Sequence, residues 1–387
     1  MNLKSLLLSS DERTVRILRR VLSDLEIDVE ICHDEEEALR RITRQRFEAI
    51  IVDGANAGEA SNVLRGAKAA PVNQRALTIA LVEATVGLKG GFAMGAHFVL
   101  HKPFAVERAK ASFRAVRALM KRERRRQMRV PVQVPVDCYG AGRYKAMTLD
   151  LCEGGMAIQF SGRAAKESPL RFSLALPGAS EVLEIYGELA WEGSSAQAGV
   201  RFKDATDEQR KILCQWLNSQ LPEPEPDDPP VNCRLTDLSL GGCYLATNSP
   251  FPRGTRVILS IKTAELEVRA VGIVMVAHPE FGMGMEFLKS TAEQREQAQR
   301  MIKTLRASAD KSPELQVEPD GLETSSPDDS VDAFQVSATK GTEDALVDLF
   351  RRKFEVPVES FLQQMRERRV SVESRSRLAN QVLGLRS

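Results

Sequence analysis

The N-terminal part of the chain alternates short apolar runs with stretches in which apolar residues recur every three or four positions. The runs Leu6–Leu8 and Ala49–Val52 are typical of buried strands, whereas Val15–Leu25 follows a helical period. Two more buried strands are predicted at Leu77–Val82 and Phe98–Leu100. Strands that alternate with helices predict a doubly wound parallel sheet, with functional side chains at the carboxyl ends of the strands.

After Arg129 the pattern changes to a period of two, which indicates β-structure. Val130–Val136 alternates, and turn residues then separate short strands as far as Phe202. A helix is predicted at about Asp207–Leu217, and the Pro-rich acidic stretch 222–230 follows it as a stiff linker. Short strands with frequent turns predict a small antiparallel barrel.

An internal repeat extends this prediction. Asp150–Gly155 resembles Asp237–Gly242, which lies 87 positions later, and Gly199–Phe202 resembles Gly284–Phe287, 85 positions later. Each copy is followed by a predicted helix, the second at about Thr291–Leu305. The sequence therefore predicts two copies of one barrel, although the second copy lacks a segment that matches the first barrel strand.

The C-terminal region differs again in composition. Residues 307–340 contain eight Asp or Glu, two Lys and few large apolar side chains, which predicts a disordered acidic linker. Thr342 is the predicted N-cap of a helix that carries Glu343 and Asp344 in its first turn. Apolar positions along this helix and two further short helices are Leu346, Leu349, Phe350, Phe354, Phe361, Leu362, Met365, Leu378, Val382 and Leu385.

Composition excludes several classes of protein. The chain has 387 residues, with 54 Lys or Arg against 53 Asp or Glu, so the net charge of +1 conceals local clusters. Ten Lys or Arg and only two Glu lie in residues 105–129, where a basic helix end is expected. No apolar run is long enough to span a membrane, and no signal peptide is recognised, so a cytoplasmic protein is expected. The spacing of the six cysteines and four histidines does not match a zinc-binding motif.

Polar residues follow the predicted N-terminal strands at Ser9, Ser10, Asp53, Glu83 and Lys102. This pattern resembles a response-regulator receiver domain, in which Asp53 takes the phosphoacceptor position and Lys102 begins the family's Lys-Pro-Phe. Ser9 and Ser10 replace the acidic pair that binds Mg²⁺ in the family, and Glu83 replaces a Thr or Ser. The Met-Pro that normally follows the phosphoacceptor is also absent.

These departures change the expected function of the domain. A hard cation needs several carboxylates, and two serines supply none, so no metal is expected. The resemblance then implies a pseudo-receiver used for docking or dimerisation. Its vestigial phosphoacceptor Asp53 is expected to pair with Lys102 rather than to be phosphorylated.

Arg125-Arg126-Gln127-Met128-Arg129, followed by Asp150-x-Cys152-x-x-Gly155, resembles the PilZ domain, a cyclic-di-GMP receptor module. Arg125 and Arg129 take its arginine positions, Asp150 and Gly155 its acidic and glycine positions, and Cys152 stands where the family has Ser. Trp191 and the residues from 199 to 202 resemble the late strands of the family. The resemblance covers about residues 122–220 and implies a ligand site formed by Arg125, Arg126, Arg129, Asp150, Cys152 and Gly155.

The chemistry of these residues suits that ligand. Guanidinium groups pair with phosphate and with the guanine edge, and a carboxylate accepts from guanine N–H groups. A thiol at Cys152 is a weaker donor than a hydroxyl, a difference of about 1 kcal/mol or roughly five-fold in affinity. The alternatives are a structural β-turn at 150–155 and a solvated basic helix end at Arg125 and Arg129.

The second copy keeps Asp237, Ser239 and Gly242 but has no arginine arm, and Glu223, Glu225, Asp227 and Asp228 precede it. A dianionic ligand would face these carboxylates, so a degenerate barrel used for packing or for partners is expected. The predicted organisation is a pseudo-receiver at 1–122, a PilZ domain at 123–221, a degenerate PilZ-like domain at 222–306, a disordered linker at 307–341 and a helical tail at 342–387.

The resulting hypothesis is a bacterial signalling protein that binds cyclic-di-GMP through its first PilZ domain. Domain reorientation would then present the receiver face or the C-terminal helices to a protein partner that the sequence does not identify. The alternative is a ligand-free scaffold of degenerate domains, and a DNA-binding regulator is a third option, although no recognition helix follows the basic stretch. No enzyme is expected, because the sequence shows no base–nucleophile pair or metal cluster, and no specific nucleic-acid partner is expected.

Overall fold

The computed structural model describes residues 2–83, 87–162, 169–179, 181–193, 196–203, 205–220, 228–262, 267–278, 281–288, 296, 300, 314–322, 344–352 and 359–367. The chain divides into two compact units. One contains residues up to Arg122 together with those from Asp228 onward, and the other contains residues 123–227.

The N-terminal domain is a five-stranded parallel sheet with the strand order β2-β1-β3-β4-β5. Its strands are β1 Leu3–Leu8, β2 Ile27–Cys32, β3 Ala49–Asp53, β4 Leu77–Glu83 and β5 Phe98–Lys102. Its helices are α1 Glu12–Asp24, α2 Glu35–Arg44, α3 Ala57–Ala69, α4 Gly87–Ala93 and α5 Val106–Gln127. This order is that of flavodoxin-like sheets and confirms the predicted doubly wound α/β domain.

Local sequence explains these elements. Asp11 caps α1 by accepting from the amide of Arg13, and Asp34 caps α2 by accepting from the amide of Glu37. The strands are apolar on both sides, so Leu7 packs into one buried cluster and Leu6 into another.

The unit formed by residues 123–227 is an antiparallel barrel, here called the first barrel. Its strands are β6 Val130–Pro131, β7 Pro135–Tyr139, β8 Arg143–Cys152, β9 Gly155–Phe160, β10 Leu170–Ala175, β11 Val182–Glu192 and β12 Gln197–Lys203. The pairing of β8 with β9 closes the sheet. Helix α6, Asp207–Ser219, starts at a capping box made by Thr206 and Gln209, and its Trp216 packs into the core of this unit.

The second barrel lies in the other unit and is closed by six strands in the order β13-β14-β17-β16-β15-β18. The strands are β13 Val231–Leu238, β14 Gly242–Ala246, β15 Thr255–Lys262, β16 Glu267–His278, β17 Gly282–Phe287 and β18 Glu314–Leu322. An α/β domain that is followed in sequence by two antiparallel barrels confirms the predicted fold class.

Strand β18 corrects the prediction of disorder across 307–341. It lies between β13 and β15 and buries Leu315 and Val317, whereas Glu318 is exposed. The acidic composition of the region concealed this short alternation, because composition averages over both faces of a strand.

The register shows which strand β18 replaces. Leu315 pairs with Cys233 and Ile261. The residues 87 positions before these two partners are Ala146 and Leu174, and both pair with Val136 of β7. Strand β18 therefore occupies the place of the first barrel's β7. The strand that the second copy lacks at its start is supplied from its C-terminal side, in a circularly permuted order.

Two C-terminal helices follow, α7 at Ala345–Arg352 and α8 at residues 359–367, and together they are called the tail helices. Asp344 caps α7 rather than the predicted Thr342, because its Oδ1 accepts from the amide of Leu346 at 3.0 Å. Thr342, Phe354, Leu378, Val382, Leu385 and, apart from positions 296 and 300, the predicted helix at 291–305 lie outside the described residues. None of the helices in the described part of the chain is long and apolar enough to cross a membrane.

Candidate ligand site and vestigial phosphoacceptor site

The first barrel brings together two residues of the predicted ligand site that are 21 positions apart. Arg129 follows α5, and its Nη1 lies 2.5 Å from Oδ1 of Asp150 at the end of β8. The same carboxylate oxygen accepts from the amide of Ala157 at 3.2 Å, which fixes its orientation. An arginine and a carboxylate are thus placed side by side at the edge of the barrel, with the Arg129 side chain about half exposed.

Two carboxylates that the sequence did not single out hold the neighbouring arginine. Arg126 Nη1 lies 3.0 Å from Glu123 Oε1, and Arg126 Nε lies 3.7 Å from Glu153 Oε2. Arg125 lies in the last turn of α5. Glu153 lies in the Asp150–Gly155 turn. The sequence signal that could have predicted its contact with Arg126 is an acidic residue in a turn that the motif places near a basic helix end. The arginine arm, residues 125–129, is therefore neutralised in part by its own barrel.

A row of residues, here called the cradle, extends from Asp150 across four strands. Asp150 pairs with Ala157, Ala157 with Gly199, and Gly199 with Trp191, so these four residues form one row on the outer face of the barrel. The Trp191 indole lies over Gly199, where an added Cβ would be 2.0 Å from the indole Nε1, and it remains 46% exposed. The cradle has a floor of small residues between an ion pair and an aromatic ring.

Gly155 and Cys152 have a different environment. A Cβ on Gly155 would lie 2.1 Å from the carbonyl oxygen of Val200, so the close approach of β12 requires glycine at this position. Cys152 is buried and pairs with Gly155 across the turn. The geometry around these two residues favours the structural alternative for them, whereas Arg129 and Asp150 face the cradle.

The second barrel shows the same turn without an arginine arm. Ser239 Oγ donates to the carbonyl of Gly242 at 3.0 Å and accepts from its amide at 3.2 Å, so the hydroxyl is used within the turn. Asp237 is buried and accepts from the amide of Leu238 at 2.9 Å. A Cβ on Gly242 would lie 2.3 Å from the carbonyl of Met285, which repeats the geometry of the first barrel.

The row that corresponds to the cradle is covered in the second barrel. It consists of Asp237, Tyr244, Gly284 and Val276, paired in that order. Phe350 of α7 lies over Gly284, and its ring would be 2.8 Å from an added Cβ. The tail helices therefore cover the face on which, in the first barrel, Trp191 and Arg129 are each about half exposed.

Part of the basic stretch 105–129 is also occupied. Arg117 and Lys121 of α5 both pair with Asp228, and Arg122 Nη2 lies 3.0 Å from Asp320 Oδ1 of β18. Asp228 was predicted to repel a ligand at the second barrel, but it neutralises α5 instead. The sequence could not show this, because the partners are more than a hundred positions apart.

The N-terminal sheet gathers the predicted vestigial phosphoacceptor site at its carboxyl edge. Asp53 Oδ1 lies 2.8 Å from Lys102 Nζ, and its Oδ2 accepts from Ser9 Oγ at 2.9 Å. Glu83 Oε1 lies 3.5 Å from the same ammonium group. Both oxygens of the largely buried Asp53 carboxylate are engaged, as the predicted Asp53–Lys102 pair requires.

Electrostatics stabilise this arrangement. Burial lowers the pKa of Lys102, but its hydrogen bond to Asp53 and the charges of Asp53 and Glu83 outweigh burial, so the pKa lies above its ordinary value. Among the described residues, no group of three or more His, Cys, Asp or Glu side chains is arranged to hold a metal ion. The site is an ion pair between protein groups at the carboxyl edge of the sheet.

The strand order and the Asp53–Lys102 pair define a receiver-like α/β domain, and the two motif turns lie in equivalent antiparallel barrels. The model of the PilZ domain family matches residues 123–219 and 221–304. Two segments of the chain therefore match the PilZ domain, and they follow the receiver-like α/β domain in sequence.

Solved structures similar to parts of the chain include the receiver domain of a sensor histidine kinase from Pseudomonas aeruginosa PAO1, at 22% identity and a TM-score of 0.28 over 31% of this chain and 98% of that one. A chemotaxis response regulator of Vibrio cholerae has 23% identity and a TM-score of 0.28 over 30% and 99% of the two chains. The PilZ domain of CeSA from a cellulose-synthesizing bacterium has 18% identity and a TM-score of 0.21 over 24% and 97%. No curated protein matches the chain.

Proposed function

We propose that this protein is a cytoplasmic, non-catalytic signalling protein that binds cyclic-di-GMP in the cradle of its first barrel. The observation that carries the proposal is the Arg129–Asp150 pair at one end of a row that ends at the half-exposed Trp191. Guanidinium groups and a carboxylate match the phosphates and the guanine edge of the ligand. The exposed indole offers a flat surface for a purine.

The charge around the two motif turns supports a ligand in the first barrel only. The first turn lies beside Arg126 and Arg129, in a segment that also contains Arg124 and Arg125. The second turn lies beside Asp344 and Glu286, with Arg351 as a counter-charge. A dianion is attracted to the former and repelled by the latter.

The proposed binding step is an exchange of partners. Arg129 leaves Asp150 for a phosphate oxygen, and Asp150 becomes free to accept from guanine. Because the arginine arm continues from α5, movement of the arm changes the orientation of the receiver-like domain relative to the first barrel. The altered arrangement then engages a protein partner through the receiver face or the C-terminal helices.

The test is a calorimetric titration of the full-length protein with cyclic-di-GMP. We expect saturable binding that Arg125→Ala combined with Arg129→Ala weakens at least a hundred-fold, because two charge-assisted contacts are lost. Arg143→Ala is the matched control, since Arg143 is an exposed arginine of the same barrel that pairs with Asp137 and lies over Tyr139. No saturable binding, or equal losses in the double variant and the control, would contradict the proposal.

A ligand-free scaffold is the second candidate, and one observation favours it. Glu123 and Glu153 already hold Arg126, so the barrel neutralises part of its own arm. In this case Glu153→Gln would leave the protein unable to bind cyclic-di-GMP, whereas a receptor should bind more tightly when the competing carboxylate is removed. The same titration separates the two candidates.

A further inference from the structure

We propose that the second barrel is a helix-binding module that takes a peptide ligand on the face that corresponds to the cradle of the first barrel. The ligand class is an amphipathic helix that begins with an N-capping Asp and presents aromatic rings to the barrel. In this structure the ligand is the chain's own pair of tail helices, and the same face accepts this helix pair from a second copy of the chain. The inference does not depend on cyclic-di-GMP binding by the first barrel.

Asp344 links recognition of the helix to the motif turn. Its Oδ1 caps α7 by accepting from the amide of Leu346 at 3.0 Å, and its Oδ2 accepts from the amide of Gly241 at 2.9 Å. Gly241 lies inside the turn Asp237–Gly242. One carboxylate therefore both starts the helix and anchors it to the turn, and only Asp or a residue of similar shape can make both contacts.

Aromatic packing continues the contact across the face. Phe350 lies over Gly284, and Phe361 of α8 lies with its ring centroid 4.6 Å from that of His278 and 5.6 Å from that of Tyr244. In the first barrel, the ring over the equivalent Gly199 is Trp191 of the barrel's own strand. In the second barrel, the ring that covers the equivalent glycine comes from a tail helix rather than from a strand of the barrel.

The tail helices are peripheral to the barrel rather than part of its core. Their side chains Leu346, Phe350, Phe361 and Met365 form a separate buried cluster with three residues of the barrel's outer face, Tyr244, Met275 and Val276. The interior of the barrel is filled by other residues, such as Leu259 and Met283. Helix α7 has only eight residues, too few to persist alone in water, so its folding is coupled to docking.

The length of the connection permits exchange between copies. The 21 residues from 323 to 343 connect β18 to Asp344, and an extended chain of that length reaches about 70 Å. Tethering in cis gives the tail an effective concentration of about millimolar, so the cis arrangement dominates until it is weakened. The exposed Arg351–Glu286 ion pair adds orientation at the rim of the face.

The test uses a fluorescent synthetic peptide of residues 344–367 and the full-length chain. Phe350→Ala in the chain weakens its own tail but leaves the barrel face intact, so the wild-type peptide should bind this variant at least ten-fold more tightly than the wild-type chain. Arg366→Ala is the control variant, because Arg366 is an exposed residue of α8, and it should bind the peptide as the wild-type chain does. A peptide with Asp344→Ala should bind the Phe350→Ala chain at least ten-fold more weakly.

Three results would overturn the inference. One is the absence of peptide binding by the Phe350→Ala chain while hydrogen exchange shows that β16 and β17 remain protected. The second is equal binding by the wild-type and Phe350→Ala chains. The third is loss of binding in a chain that combines Phe350→Ala with Arg129→Ala, which would place the peptide on the first barrel.

Discussion

The two barrels of this chain share a strand arrangement, a register and a glycine turn, yet the row of the first barrel keeps its two ends exposed and that of the second is covered by helices. In the first barrel, the row from Asp150 to Trp191 ends beside an arginine arm. In the second, the equivalent row lies under Phe350 and Phe361. The comparison teaches that the motif turn forms the scaffold, whereas the groups around it select the ligand.

Ser239 makes this distinction concrete. Its hydroxyl is bonded to both the amide and the carbonyl of Gly242, so the polar residue that best matches the family motif serves the turn itself. A motif of this kind predicts the barrel well and the ligand poorly. The predictions below test, in decreasing order of expected effect, which parts of the comparison are scaffold and which are site.

The largest effect is expected at β18, the strand that the second barrel takes from its C-terminal side. Val317→Asp places a charge at a fully buried position between β13 and β15 and should destabilise the second barrel by more than about 4 kcal/mol. Urea unfolding with hydrogen exchange as a local probe measures this loss. The exposed neighbour substitution Glu318→Gln is the control and should change stability by less than about 0.5 kcal/mol.

The next effect compares the two glycines at the ends of the motif turns. Gly155→Ala and Gly242→Ala would each force a Cβ against a strand carbonyl, at 2.1 Å from Val200 and 2.3 Å from Met285. Each should cost about 2–4 kcal/mol in its own barrel, because backbone must move to relieve the contact. Similar losses in both barrels are expected, and a loss confined to cyclic-di-GMP affinity would instead assign Gly155 to the ligand.

Much of the fold was predictable because it depends on patterns among residues that are close together in the sequence. The parallel sheet follows from buried runs and helical periods, and the Asp53–Lys102 pair follows from the carboxyl ends of β3 and β5. The repeat at an offset of 87 predicted the second barrel. Strand β18 was missed, because its partners are far away in sequence and its composition resembles that of a linker.

The candidate site divides in the same way. Arg129 and Asp150 were predicted from a motif, and the structure places them in contact. Glu123 was not predicted, although it lies only three positions before Arg126 on the same helix. Glu153 and the cradle floor at Ala157 and Gly199 were not predicted, because tertiary packing and strand register bring them into place. Asp344 on the Gly241 amide was equally hidden, since a contact across 103 positions leaves no local pattern.

Of the two barrels, the second is expected to show a pH effect of intermediate size. His278 is buried against Tyr244 and Phe361, and burial lowers its pKa to about 4. The unfolded chain has a histidine pKa of about 6.5, so it binds more protons than the folded chain between these values, and stability falls as pH falls through that window. The loss should be about 2 kcal/mol between pH 7 and pH 5.

Unfolding of the second barrel as a function of pH measures this effect, and His278→Gln is the matched variant. Glutamine keeps a group that can bond the Tyr244 hydroxyl, which lies 2.9 Å from His278 Nδ1, but it does not titrate. Its stability curve should therefore lose most of the slope between pH 5 and pH 7. An unchanged slope would assign the effect to other groups.

The smallest effect is expected from Cys152→Ser, which gives the first barrel the residue that the second barrel has at this place. The hydroxyl should bond the amide and carbonyl of Gly155, as Ser239 bonds those of Gly242, and raise the stability of the first barrel by about 1 kcal/mol. Cyclic-di-GMP affinity should rise by no more than about five-fold, because the new hydrogen bonds lie within the turn rather than in the cradle. Urea unfolding and calorimetry on the same sample separate the two effects. A gain in affinity without a gain in stability would show that the hydroxyl reaches the ligand, and would make position 152 part of the site rather than of the scaffold.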